Sequence, residues 1–311
     1  MAKIAILLAT FNGEKYIGEQ LKSLKEQTLR DFHCYIHDDG SSDRTVEKIK
    51  KHIRDDNRFE LVSGASMGSA AGNFLFLADW IHDEEFIMFC DQDDVWLKDK
   101  IQLSYNRMVC GDGKESTPKV VFSDLIVAAP DLKILHDSYF KYESRNVNKL
   151  RFNDLIKKNV APGCTMMINR AMLDLLKKHK ELCYFTMHDW AMMVLASLYG
   201  EISVINKGTT LYRQHSGNQV GAENKTGIHA IKRFLFEIFT FKKMRYIKNS
   251  VLLEKKIIRY FIASGDSNLE SRISNAEKYR RILSGTKATR MLAYVCVNNC
   301  SFRSLIRALF V

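Results

Sequence analysis

The chain has 311 residues, 46% hydrophobic and 27% charged, with only 3 prolines. That length and balance fit one large domain or two smaller ones with a real core, and exclude a disordered, collagen-like or Pro-rich linker protein. The net charge of +11 is uneven: residues 228–311 carry 17 Lys and Arg against 5 Asp and Glu, while residues 1–227 carry 30 against 31. A near-neutral body therefore leads into a basic region suited to something anionic.

The first predicted element is Ile4-Ala5-Ile6-Leu7-Leu8, an apolar run read as a buried strand that ends in the loop Ala9-Thr10-Phe11-Asn12-Gly13. Tyr16, Ile17, Leu21 and Leu24 then recur at helical spacing. Cys34-Tyr35-Ile36 reads as a second strand, running into the acidic loop Asp38-Asp39-Gly40-Ser41-Ser42-Asp43. Ser42 or Asp43 is expected to cap the helix carrying Val46, Ile49 and Ile53. A strand at 59–62 follows, and another at 85–90 that ends directly in Asp91-Gln92-Asp93-Asp94. Later strands are expected at 120–122 and 202–205. Ala161-Pro162-Gly163-Cys164-Thr165 reads as a loop before a strand. Strands alternating with helices predict an α/β fold with a mostly parallel sheet, where ligands bind beyond the carboxyl ends of the strands. Both acidic loops fall at that edge.

From Ile228 the pattern becomes helical, with apolar positions interleaved with Lys and Arg. A helical stretch is expected around 251–261, a polar break at Ser264-Gly265-Asp266-Ser267, and an apolar end at 291–311. These features predict two domains, residues 1–227 and 228–311. The basic region suits an anionic membrane surface or an oligomer interface, or is simply a solvated face. No recognition motif accompanies the charge, so nucleic acid is not expected. The 7 cysteines are scattered without a CxxC or a zinc spacing, which suggests a reducing compartment. No signal peptide and no membrane-length apolar run are read, so a cytoplasmic place, free or peripheral on the inner membrane face, is expected.

Asp91, Asp93 and Asp94 place three carboxylates within four positions at a strand end. Such a group repels itself unless compensated, and a hard divalent cation shared with substrate phosphates relieves it. A solvated acidic turn is the bland alternative. Asp38 and Asp39 can accept hydrogen bonds from a base or ribose, or simply form a turn and a helix cap.

The pieces Thr10-Phe11-Asn12-Gly13, Asp38 to Asp43, Asp91 to Trp96 and His188-Asp189-Trp190, in that order, resemble the family 2 glycosyltransferases with the GT-A fold. With Tyr212-Arg213-Gln214-His215 they are similar to the bacterial rhamnosyltransferase-like branch. The resemblance covers roughly residues 3–220. It implies an inverting transfer of a sugar, such as rhamnose, from a dTDP- or UDP-linked donor to a glycan or lipid-linked acceptor in surface polysaccharide synthesis.

The resemblance also implies residue roles. Thr10, Phe11, Asn12, Asp38 and Asp39 would hold the nucleotide, and Asp91 would face the ribose. Asp93 would bind Mg²⁺ or Mn²⁺, with His215 a further metal contact. Asp189 would be the general base. Gln92, Asp94, Trp96, Gly163, Cys164, His188, Trp190 and Arg213 are candidates for donor or acceptor contacts. Each late residue also has a structural alternative: a helix start at His188-Asp189, a core Trp96, a loop His215, an ion-paired Arg213. The QxxRW motif of processive synthases is absent. A sugar nucleotidyltransferase would show a Gly-rich, Arg-containing loop after the first strand, which this chain lacks. A non-catalytic scaffold is disfavoured because all the expected carboxylates are present. No GxGxxG follows the first strand, against a dinucleotide-dependent oxidoreductase.

Overall fold

The computed structural model describes residues 3–110, 116–215, 241–263, 282–297, 307–308 and 310–311. The chain divides into two compact units. One comprises residues 1–148 and 160–225, the other residues 149–159 and 226–311. The short segment 149–159 thus belongs with the C-terminal unit, an assignment no local sequence signal announces.

The first unit is built on a nine-stranded sheet ordered β3-β2-β1-β4-β8-β6-β9-β5, with β7 paired to β6. The strands are β1 (Ile4–Thr10), β2 (Phe32–Asp38), β3 (Phe59–Leu61), β4 (Phe86–Asp91), β5 (Val95–Trp96), β6 (Lys119–Ala128), β7 (Ile134–His136), β8 (Met166–Asn169) and β9 (Glu201–Arg213). β3, β2, β1 and β4 are parallel, in register from Ile4↔Phe32 to Thr10↔Asp38 and from Ile4↔Phe86 to Ala9↔Asp91. Beyond β4 the expected mostly parallel pattern gives way to a mixed one. β8 runs antiparallel to both β4 and β6, while β6 and β9 are parallel. β8 is only four residues long and lacks a flanking acidic loop, so nothing local revealed its direction.

The apolar runs of β1 and β4 are buried on both faces, as parallel strands between helical layers must be. Helix α1 (Ile17–Lys25) buries Ile17, Leu21 and Leu24, and α2 (Thr45–Ile53) buries Ile49. Helices α3 (Ala70–Ala78), α4 (Lys100–Val109), α5 (Arg170–Lys178) and α6 (His188–Tyr199) complete the layers. α3 starts at Ser69, whose hydroxyl accepts the Gly72 N–H at 3.1 Å.

Ile4, Ile6, Leu8, Ile17, Leu21, Cys34, Ile36, Met88, Cys90 and Trp96 share one core cluster. Burying a side chain of this size is worth about 1.5–3 kcal/mol. These strands therefore form a stiff floor that carries the loops at their carboxyl ends.

In the second unit, helix α7 (Phe241–Ala263) and helix α8 (Lys287–Val297) are present. Val251, Ile257, Ile258 and Phe261 are buried, and Phe152 meets Phe261 edge-on at 5.9 Å between centroids. Glu254 accepts the Tyr294 hydroxyl and the Arg307 guanidinium, each at 2.9 Å. The expected helical pattern of 228–240 and the polar break at 264–267 lie outside the described residues. Among the described residues no helix is long and apolar enough to cross a membrane.

Candidate active site

Parallel β2, β1 and β4 end side by side, so the loops after them, at Asp39, Phe11 and Asp91, meet at one edge. β8, antiparallel to β4, begins where β4 ends, which brings Gly163 to the same edge. There a cleft of about 460 Å³ is lined by Thr10, Phe11, Asp39, Asp91, Gln92, Asp93, Gly163, His188 and Asp189. Nine positions singled out in the sequence, from five separate segments, are thereby brought together.

The loop after β1 is held by the loop after β4. Gln92 accepts the Phe11 N–H with Oε1 and donates to the Phe11 carbonyl with Nε2, each at 2.8 Å. That pairing needs Gly13, since a Cβ there would lie 2.2 Å from Gln92 Oε1. Phe11 itself stays 54% exposed, an apolar ring free to pack against a base. Asn12, at φ 47°, gives its N–H to Ser41 Oγ at 2.7 Å and takes the Ser42 N–H on Oδ1 at 2.9 Å.

Asp38, expected at the nucleotide, is turned into its own loop instead. Its carboxylate accepts the Ser41 N–H at 2.7 Å, the Ser41 hydroxyl at 2.6 Å and the Thr10 hydroxyl at 2.8 Å. Asp39 faces the cleft, and its Oδ1 accepts from Ser66 Oγ at 3.0 Å, Gly68 N at 3.3 Å and Met67 N. Helix α2 starts at Arg44 without a side-chain cap. Asp43, one residue earlier, does the equivalent work by accepting the Thr45 N–H and the Glu14 N–H, each at 3.0 Å.

The four positions after β4 point in different directions. Asp93 lies toward the cleft and meets His215, Nε2 to Oδ2 at 2.8 Å, while the His215 ring packs on Tyr16 at 4.8 Å. Asp94 is fully buried. It accepts the Arg213 N–H at 3.1 Å, and its Oδ2 has no partner among the described residues. Burial, reinforced by Asp93 and Asp189, pushes the Asp91 carboxyl up to about 7. Burial, with Asp93 and Asp91, raises Asp94 as well.

Two places here suit a cation. Asp91, Asp94 and Cys164 offer donor atoms within 4.8 Å of one another. Yet Lys100, wholly buried, already donates to the Cys164 carbonyl and to Thr210 Oγ1, each at 2.6 Å. Its ammonium sits 4.3 Å from the Trp96 ring centre. Burial lowers its pKa, while Cys164, Cys90, Asp94 and Asp91 favour its charged form. The inner trio therefore has a resident ammonium, and its thiol suits a soft metal better than Mg²⁺. In the outer pair, Asp93 lines the cleft and His215 lies behind it, and together they supply a carboxylate and an imidazole, which fits a divalent cation shared with a phosphate.

Five candidates for substrate contacts do not line the cleft: the buried Asp94, and Trp96, Cys164, Arg213 and Trp190. Trp96 is 2% exposed and belongs to the core. Cys164 is buried beneath the acidic loop. Arg213 is 1% exposed, and its guanidinium donates to the Asp93 carbonyl at 2.8 Å, to the Pro130 carbonyl and to Glu19, so its fork is committed to the protein. Trp190 gives its N–H to Asp189 Oδ1 at 2.7 Å, one contact that orients the Asp189 carboxylate.

The cleft also uses residues that sequence reasoning passed over, Ser66, Gly68, Ser69, Asn73 and Phe74, and it is lined by Tyr212 of the motif that ends at His215. The signal available was the small-residue run Gly64-Ala65-Ser66-Met67-Gly68-Ser69 before a helix, a composition that lets backbone N–H groups approach a ligand.

Residues 5–175 match the family model described as Glycosyl transferase family 2. The dTDP-rhamnosyl transferase RfbG of Shigella flexneri is 31% identical over 232 residues, covering 69% of this chain and 74% of that protein. A UDP-Glc:α-D-GlcNAc-diphosphoundecaprenol β-1,3-glucosyltransferase of Escherichia coli is 23% identical over 172 residues, covering 55% of this chain and 62% of that one. Among solved structures, S. aureus TarS 1–349 in complex with UDP-GlcNAc superposes with a TM-score of 0.54 at 16% identity, covering 98% of this chain and 89% of that one. A mannosyltransferase from Pyrobaculum calidifontis, solved with GDP-Man and Mn²⁺, gives 0.52 at 14% identity, covering 99% and 83%. These likenesses show the GT-A fold.

Proposed function

The chain belongs to glycosyl transferase family 2, and we propose that it is an inverting, cation-dependent enzyme that moves a hexose from a dTDP- or UDP-linked donor to a glycan or lipid-linked acceptor. The observation that carries this reading is the cleft at the carboxyl ends of β2, β1 and β4 and the start of β8. It gathers an exposed aromatic ring, a cleft-facing carboxylate, an acidic strand end and a further carboxylate at a helix start.

In this reading the base lies at Phe11 and Asp39 and the ribose at Asp91. The diphosphate lies beside Asp93 and His215, which would hold Mg²⁺ or Mn²⁺. That ion supplies positive charge for the leaving diphosphate. Asp189 accepts the proton of the acceptor hydroxyl as its oxygen bonds to the anomeric carbon. The bond from that carbon to the diphosphate oxygen breaks on the opposite face, and the nucleoside diphosphate departs with the electron pair. One in-line displacement needs no protein nucleophile.

Likeness to the rhamnosyl transferase favours dTDP-rhamnose as donor and a bacterial surface polysaccharide as product. The basic region 228–311 would hold the enzyme at the anionic inner face of the membrane, where lipid-linked acceptors reside.

A thermal-shift comparison of dTDP and UDP, each with Mg²⁺, Mn²⁺ or EDTA, tests the reading. A ligand that binds only the folded chain raises its melting temperature by mass action. Cation-dependent stabilisation, larger for dTDP, is expected. A larger shift with UDP moves the donor to a uridine-linked sugar. No shift with either nucleotide overturns the reading.

A further inference from the structure

Helix α3, Ala70-Ala71-Gly72-Asn73-Phe74-Leu75-Phe76-Leu77-Ala78, is apolar on more than one face. Asn73, Phe74, Leu77 and Ala78 are buried, while Leu75 and Phe76 stay half-buried on another side. A helix that is apolar all round needs cover on each side. The 3₁₀ turn Lys180–Tyr184 lies alongside α3 but does not close over it. That turn buries Leu182 and Cys183 and so carries Tyr184 outward, where it is 78% exposed. A second hollow, of about 800 Å³, lies between the turn and α3. Leu75, Phe76 and Tyr184 give it apolar walls. Asp79, Lys177 and Lys180 add charged groups, and Lys177 Nζ meets the Asp79 carboxylate at 3.1 Å.

This hollow runs into the cleft, because Ser69, Ala70 and Met187 line both. Met187 is followed directly by His188 and Asp189, so the shared wall adjoins the carboxylate assigned as the base. In the glycosyl-transfer reading the nucleotide sugar occupies the cleft. The acceptor hydroxyl must then reach Asp189 from outside it, and this neighbouring hollow opens on it at Met187. The chemistry of the hollow suits a saccharide. A sugar ring carries C–H groups on its face and hydroxyls around its edge. The exposed Tyr184 ring matches the face. The Asp79–Lys177 pair and Lys180 offer acceptors and donors to the hydroxyls. Apolar walls with a few polar groups that orient the ligand are what small-molecule sites are made of. Two lysines stand against one aspartate, so the charges nearly balance and a phosphate is not the better fit.

We propose that this hollow seats the acceptor saccharide, with one sugar ring lying on Tyr184, and leads its hydroxyl past Met187 to Asp189. This rests on the glycosyl-transfer reading above.

The test compares the full-length wild type with Tyr184→Ala, Tyr184→Phe and the double variant Lys177→Gln, Lys180→Gln. The donors are dTDP-rhamnose and UDP-glucose in Mg²⁺. The acceptor probe is lipid-linked glycan extracted from membranes of the cells that make this protein. Calorimetry with dTDP and UDP reads the cleft alone. For Tyr184→Ala the acceptor KM is expected about tenfold higher with kcat little changed, the effect of losing one aromatic contact made before the transition state. Its nucleotide affinity is expected within about twofold of wild type and its melting temperature unchanged, because the ring is exposed. Tyr184→Phe keeps the ring and is expected within about twofold of wild type throughout. The double lysine variant is expected to raise the acceptor KM by a smaller factor than Tyr184→Ala.

An unchanged acceptor KM in Tyr184→Ala overturns the assignment and leaves glycosyl transfer standing. A large rise in the double lysine variant with none in Tyr184→Ala puts the carrier diphosphate in the hollow in place of a sugar, and also overturns it. A nucleotide affinity that falls as far as the acceptor KM rises makes Tyr184 part of the donor site and overturns it too. Wild-type protein that transfers to glycan from neither donor overturns the parent reading, and this one with it.

Discussion

The two acidic strand-end loops read alike in the sequence and behave oppositely in the fold. In the loop after β2, Asp38 and Asp43 are supplied with donors from their own neighbourhood. For Asp43 burial works against ionisation. The bonds from the Thr45 hydroxyl and from the Glu14 and Thr45 N–H groups outweigh it and hold the carboxyl below the usual range. At the end of β4, Asp94 is buried and Asp91 half-buried, both with few donors and crowded by Asp93, and both are pushed up. A carboxylate whose bonds are met at home fixes backbone. A carboxylate left short of donors at the rim of a cleft is placed for something the chain does not itself contain. Counting acids at strand ends does not separate the two cases; counting the donors that reach each oxygen does.

The largest effects should come from carboxylates that line the cleft. Asp189→Asn is expected to lower kcat by roughly a thousandfold, as for loss of a general base, with dTDP or UDP affinity close to wild type. Asp93→Asn should instead lose the cation-dependent part of nucleotide binding, weakening it by about tenfold or more. Calorimetry with and without EDTA, paired with a transfer assay, reads both. Equal nucleotide affinity in wild type and Asp93→Asn would sink the cation assignment.

A smaller effect separates the loops by pH. The Asp91 carboxyl is raised from 3.8 to about 7, so between about pH 4 and 7 the folded chain keeps a proton that the unfolded chain has lost. Asp91 therefore makes the fold less stable as pH rises through that window, and stability returns on acidification. Asp43, being lowered, contributes stability above its unfolded value and loses it as pH falls. Calorimetric melting in EDTA should show Asp91→Asn gaining on wild type by a few degrees between pH 4 and 8. A flat difference across that range would mean that Asp91 is not short of donors.

Much of this was legible beforehand, and for physical reasons. Parallel strands buried on both faces must be apolar runs, so β1 and β4 stood out, and the loops that end them followed. The order of motifs placed Thr10, Asp39, Asp91 and Asp189 at one edge. What stayed hidden depends on distant partners. The direction of β8 and the use of Ser66 to Asn73 are set by neighbours far away in sequence. Trp96, Arg213 and Cys164 have the chemistry of ligand contacts, but burial in the core, three protein acceptors and a covering acidic loop absorb them. The Lys100 ammonium beneath Asp91 and Asp94 lies on the first turn of a helix, where nothing in the sequence marks it as buried.

The smallest predicted effect probes the satisfied side of the contrast. Asp43 ties α2 to the loop after β1 through the Thr45 and Glu14 N–H groups, and Thr45 Oγ1 in turn accepts the Gly13 N–H at 2.8 Å. Asp43→Ala leaves those donors to water at a partly exposed site, so the loss should be about 1–2 kcal/mol, or roughly 2–8 °C in melting temperature. The deficit should shrink below about pH 4, where the wild-type carboxyl also takes up a proton and its bonds weaken. Nucleotide affinity should stay within about twofold of wild type, because Asp43 does not line the cleft and the Phe11 backbone is still held by Gln92. A loss of nucleotide binding as deep as that of Asp93→Asn would erase the distinction between the loops and make both part of the ligand site.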